Sequence, residues 1–197
     1  MDIKTELVAI EVVVVPRQRF DRVSITLHWL TVGLVAFQLI TAFLPHDGDN
    51  ARTLLALHRS VGALTLVMVV ARLIWRARFA HSPPFPPSMP KLQRRAARAN
   101  EWALYALLLF QPLTGLGDAI FRGRPFALFG LQIPAVMLMN KPLFHLSGEL
   151  HEIGAWILMA LIAVHVGAAL IHGLVLRDGI LQRMLPGRFS RAPAPPP

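Results

Sequence analysis

The chain has 197 residues and a formal net charge of +9, yet only 16% of it is charged, 54% is hydrophobic and the mean hydropathy is +0.51. A water-soluble domain of this size needs more surface charge, and the basic residues lie between apolar blocks rather than in a patch, which argues against nucleic acid as a partner. Cysteine is absent, which excludes disulfides, thiolate metal sites and conventional iron–sulfur clusters, so any metal chemistry rests on His, Met and carboxylates.

Residues 1–17 read as an N-terminal extension. The run 8–15 is too short for a signal peptide, carries Glu11, and meets Pro16-Arg17-Gln18-Arg19 with no small-residue cleavage site. Residues 18–188 form one transmembrane domain with spans predicted at about 24–44, 53–75, 100–121 and 150–176. Each is about 20 apolar residues long, enough to cross a hydrocarbon core, and in lipid a lone span must be helical to satisfy its own backbone. The predicted fold is therefore an all-α membrane protein, a four-transmembrane-helix bundle. Residues 81–87, His-Ser-Pro-Pro-Phe-Pro-Pro, predict an extended connector, and 189–197 a disordered tail. Residues 122–149 are long and apolar for a loop, and are expected on the outer membrane surface or folded over the bundle mouth. No internal repeat is evident.

Loop charge gives the orientation. Lys4, Arg17, Arg19, Arg22, Arg72, Arg76, Arg78, Lys91, Arg94, Arg95, Arg98, Arg177, Arg183, Arg188 and Arg191 fall on one face. Arg52, Arg59, Arg122, Arg124 and Lys141 fall on the other. Positive residues concentrate on the cytoplasmic side, so both termini are expected there.

Of eight histidines, His46, His81 and His145 fall in predicted loops; His28, His58, His151, His165 and His172 lie in or at the ends of spans. Ionisable groups in lipid are costly and mark functional sites facing the bundle interior. His151 and His165 are 14 residues apart, so they share a helix face and stand about 21 Å apart along the axis. That separation is too long for one metal ion and suits two cofactors stacked across the membrane. Depth pairs His58 with His151 on the outer side and His28 with His165 on the inner side, each a bis-imidazole axial set for haem iron. Gly33, Gly62, Ala63, Gly154 and Gly167 would leave room for a flat macrocycle, or simply allow close helix packing. His172, one heptad beyond His165, competes with it by depth as the partner of His28.

Several stretches carry a resemblance: Ser24-Ile25-Thr26-Leu27-His28-Trp29-Leu30, the run HRSVGALTLVMVVAR from His58 to Arg72, Arg122-Gly123-Arg124-Pro125, His151-Glu152 followed by His165, and the end from Ala168 to Pro186. Over about residues 18–188 the chain resembles the bacterial cytochrome b561 family, related to the b-type subunits of nickel–iron hydrogenases. The resemblance implies a dihaem four-helix protein with His28/His165 and His58/His151 as axial pairs, leaving His172 free. It also implies a quinone-linked electron carrier, as in a member that oxidises superoxide outside and reduces ubiquinone inside. Arg122, Arg124 and Lys141 are then candidates for attracting superoxide, Arg59 for a haem propionate, and His172 for ubiquinone. A second reading makes the chain the haem b anchor of a larger enzyme, taking electrons from a partner dehydrogenase or hydrogenase. A haem-free transporter predicts broken helices at mid-membrane, whereas the interruptions are limited to Pro112, Gly115 and Gly117 in span three.

Overall fold

The computed structural model describes residues 19–44 and 50–187; His46 and the predicted N-terminal extension and C-terminal tail lie outside the described residues. Among the described residues, four helices are long and apolar enough to cross a membrane. They are α1 (Arg22–Phe43), α2 (Ala51–Arg78), α3 (Lys91–Phe121) and α4 (Lys141–Leu170), the last continued by a π-helical turn, Ile171–Val175.

Asp21 starts α1. Its carboxylate accepts hydrogen bonds from the Ser24 N–H (2.8 Å) and hydroxyl (2.6 Å) and from the indole of Trp75 on α2 (3.1 Å), which satisfies the helix end and ties the two helices together. Burial alone raises the pKa of this carboxyl, but the bonds from Ser24 and then Trp75 outweigh it, and the net shift is downward. α4 is capped by Asn140, whose side chain accepts from the Leu143 N–H at 3.2 Å, and Pro142 fits its first turn.

Two helices begin about nine residues before the predicted spans. Lys91 to Ala99 and Lys141 to Glu149 are helical, because hydropathy marks where a helix enters lipid and not where its hydrogen bonding starts. His145, expected in a loop, accordingly lies on α4, and Arg72 lies inside α2 rather than in the following loop. The Pro-rich connector is non-helical as expected. Arg94 organises it by donating to the carbonyls of Met89 (2.7 Å), Pro86 (3.1 Å) and Pro87 (2.9 Å).

The segment between α3 and α4 is an antiparallel hairpin, β1 (Phe126–Leu128) and β2 (Leu131–Ile133), in the register Phe126↔Ile133. It folds over the mouth of the bundle: Phe126 is buried and the Phe129 N–H donates to the Ser60 hydroxyl on α2 at 2.7 Å. Gly123 makes the turn out of α3 at φ +67°, where a Cβ would collide with the Met139 backbone. At the opposite, basic face the C-terminal segment folds back onto α1 and the connector. Trp29 donates to the Met184 carbonyl (2.8 Å) and Arg183 to that of Pro84 (2.6 Å).

Burial is inverted relative to a soluble bundle. Ile40, Val67, Trp156 and Val164 point outward, while Thr31, Thr41, Ser60, Thr65, Gln111 and Ser147 are buried alongside Val69, Tyr105, Leu108 and Leu158. That is the pattern of helices that meet lipid outside and approach each other over small polar residues. α1 packs on α2, α2 on α3 and α3 on α4, but no comparable packing joins α4 to α1 or α2. A seam therefore runs along α4, and the histidines lie in it.

Candidate functional site

Two imidazole pairs bridge the seam. His58 on α2 faces His151 on α4 with ring centroids 6.1 Å apart, on the hairpin side. His28 on α1 faces His165 on α4 at 6.2 Å, on the basic side. Two metal–nitrogen bonds of about 2 Å, plus roughly 1 Å from each nitrogen to its ring centre, also give about 6 Å. Among the described residues no group of three or more His, Cys or carboxylate side chains gathers around a point. The protein thus offers opposed pairs, the donor set of a metal whose other ligands come from a macrocycle.

A cavity of about 570 Å³ opens beside the hairpin-side pair, lined among others by Arg59, Gly62, Ala63 and Gly115. Gly115 lies against the His151 ring, where a Cβ would come within 3.1 Å of Cε1. Of the glycines expected to leave room for a macrocycle, Gly62 lines this cavity, while Gly33 and Gly167 border open space. Gly154 instead makes way for a side chain: a Cβ there would meet Gln111 Oε1 at 3.0 Å. The paired rings, the seam and the cavity fit b-type haem.

The surrounding polar residues repeat. On α1, Gln38 donates to the His58 carbonyl (2.9 Å) and the Thr41 hydroxyl sits 2.9 Å from His58 Nδ1. On α3, Gln111 donates to the His151 carbonyl (3.1 Å) and the Thr114 hydroxyl sits 3.2 Å from His151 Nδ1. His28 precedes Gln38 by ten residues, as Glu101 precedes Gln111; Arg72 follows His58 by 14, as His165 follows His151. The helix pairs α1–α2 and α3–α4 thus carry the same Gln and Thr contacts to a histidine twice, a local recurrence that the reading of no internal repeat did not include. Too few positions match for the sequence to reveal it, and only the hydrogen bonds align them.

The basic-side pair is surrounded differently. Arg72 places a guanidinium nitrogen 3.1 Å from His28 Nδ1 and lies over the Tyr105 ring at 5.1 Å. Arg76 pairs with Glu101 and lies over Trp102 at 5.5 Å. None of Arg72, Glu101, Gln38, Thr41, Gln111 or Thr114 was legible as a site residue from sequence, since polar residues at helical spacing become partners only once helices are docked.

His172 does not face His28. The π-helical turn breaks the helical register after Leu170. His172 is buried there, with Nδ1 2.5 Å from Asp178 and Nε2 3.0 Å from Gln93. On the hairpin side, Arg122 pairs with Asp118 at 3.0 Å and lies over the Phe144 ring at 4.9 Å, while Arg124 and Lys141 are exposed. Arg59 lines the cavity with its guanidinium over Phe126 at 5.8 Å.

Known proteins resemble the chain over most of its length. It is 30% identical to cytochrome b561 homolog 1 of Escherichia coli (strain K12), over 86% of this chain and 98% of that protein. It is 32% identical to cytochrome b561 homolog 2 of the same organism, over 85% and 92%. It is 27% identical to a probable superoxide oxidase CybB of Yersinia pestis, over 86% and 97%. The family model for prokaryotic cytochrome b561 matches residues 19–187. The chain belongs to the prokaryotic cytochrome b561 family, multi-pass membrane proteins of electron transfer that bind b-type haem.

Proposed function

We propose that the chain binds two b haems, one between His58 and His151 and one between His28 and His165, and carries electrons from superoxide to ubiquinone across the bacterial inner membrane. The observation that carries this reading is the pair of opposed imidazole sets, 6.1 and 6.2 Å between ring centres, at two depths on α4. When bound, b haem supplies one-electron chemistry, which matches a one-electron donor to a two-electron quinone.

The excess of Lys and Arg on one face supports a cytoplasmic position for that face and for both termini, with the β hairpin in the periplasm. There Arg124 and Lys141 are exposed and draw an anion to the mouth, while Arg122 is largely committed to Asp118. Arg59, in the cavity wall beside His58, is placed to meet a haem propionate. Two superoxide ions lose one electron each and leave as dioxygen; one ubiquinone takes two electrons and two protons from the cytoplasmic side. His172, with Asp178 holding its ring at Nδ1 and the Gln93 amide at Nε2, takes up a cytoplasmic proton and passes it from Nε2 to a quinone oxygen that displaces Gln93. The superoxide role also draws on the likeness to the probable superoxide oxidase.

The test is a superoxide pulse given to the purified single chain with ubiquinone, following quinone reduction optically. Reduction by this chain alone is expected, and His172→Ala should slow it while leaving haem content unchanged. Reduction by an artificial donor but not by superoxide would overturn the superoxide reading and point to a partner protein as donor.

A further inference from the structure

We infer that Thr41 and Thr114 are positioning residues for the hairpin-side haem: each holds one axial histidine as the Nδ1–H tautomer and, by accepting that proton's hydrogen bond, lowers the midpoint potential of that haem alone. The inference rests on the proposed ligation by His58 and His151.

A threonine hydroxyl has one proton to donate. The Thr41 hydroxyl lies 3.0 Å from both the Phe37 and the Gln38 carbonyls, and Thr114 lies 3.1 Å from the Phe110 and 2.9 Å from the Gln111 carbonyl. Those oxygens only accept, so each hydroxyl proton is spent within its own helix. Toward the ring facing it, the hydroxyl oxygen has lone pairs left and no proton. At 2.9 Å and 3.2 Å it therefore accepts from Nδ1–H of His58 and His151. The Gln111 carbonyl, 3.0 Å from His151 Nδ1, demands the same tautomer. With Nδ1 protonated, the lone pair of each neutral ring is on Nε2, the atom that would bind iron.

The glutamines lock the backbone under each ring. Gln38 and Gln111 hold the carbonyls of the two histidines. Gly62 and Gly154 give them room, since a Cβ at either would meet the glutamine amide at 2.8 or 3.0 Å. Gln-x-x-Thr on one helix thus grips a histidine on the next, twice, and both gripped histidines belong to the same pair. The basic-side pair is set differently: an Arg72 guanidinium nitrogen, not a threonine hydroxyl, lies 3.1 Å from His28 Nδ1.

An acceptor on Nδ1–H increases electron donation from Nε2. Stronger donation favours ferric over ferrous iron, so the potential falls; removing the acceptor raises it. The experiment is a redox titration with EPR on the purified holoprotein and on Thr41→Val, Thr114→Val, the double variant and the serine replacements. His58→Ala identifies which low-spin signal is the hairpin-side haem. The valine variants should raise the potential of that haem, the double variant most, with the other haem unmoved and serine restoring the original value. Loss of that haem from a valine variant, with retention in the serine variant, would equally support the inference. It is overturned by unchanged potentials in a haem-replete double variant, by equal shifts of both haems, or by serine failing to restore. A wild-type protein whose haem content does not respond to His58→Ala would overturn the ligation itself.

Discussion

Gly115 shows how much of the site depends on single atoms. A Cβ there would lie 3.1 Å from His151 Cε1, and overpacking of this kind costs about 1–3 kcal/mol. Gly115→Val is therefore expected to displace the His151 ring and lower haem content by up to one per chain, read by pyridine haemochrome, while Gly115→Ala has a smaller effect. Asp21 works at the other face, capping α1 and bonding Trp75. Its pKa is held below the ordinary 3.8, so its stabilisation is complete above that value and fades as pH falls through the lower folded value. Asp21→Ala should lower the melting temperature in detergent at neutral pH, and the gap to wild type should narrow below about pH 4. The four pairing histidines were legible at this scale because an imidazole stands out among apolar residues. Thr41 and Thr114 were not, because a threonine bonded to its own helix is ordinary until a histidine docks on it.

At the scale of elements, the repeat gives the asymmetry of the seam a physical content. The position 14 residues after the gripped histidine holds His165 on α4 and Arg72 on α2. A cation beside His28 favours the reduced form of a haem there, since reduction removes a positive charge. Arg72→Gln is expected to lower the potential of the basic-side haem in a redox titration and leave the other near its wild-type value; equal shifts of both would contradict this. Span number and order were legible from apolar length. The helical starts of α3 and α4 were not, because Lys91 to Ala99 and Lys141 to Glu149 are polar helix outside the apolar blocks. The choice of His165 over His172 came from the family resemblance and not from periodicity, since the π-helical turn that sets His172 against Asp178 and Gln93 has no periodicity signal.

For the whole molecule, the distribution of charge along the sequence carries the orientation proposed above: fifteen of the twenty Lys and Arg residues were assigned to one face from the sequence, and Arg124 and Lys141 are exposed near the β hairpin. Reversing both to Glu should slow reaction with superoxide and flatten or invert its dependence on ionic strength, with haem content unchanged. An unaltered rate and salt dependence would remove these two residues from the account. The central claim, two haems on two histidine pairs, is met most directly by haem stoichiometry: pyridine haemochrome against quantitated protein, for wild type, His58→Ala and His28→Ala. The account predicts two haems per chain in the first and one in each variant, with a different haem missing. One or none in the wild type, or loss of both from a single replacement, would contradict it.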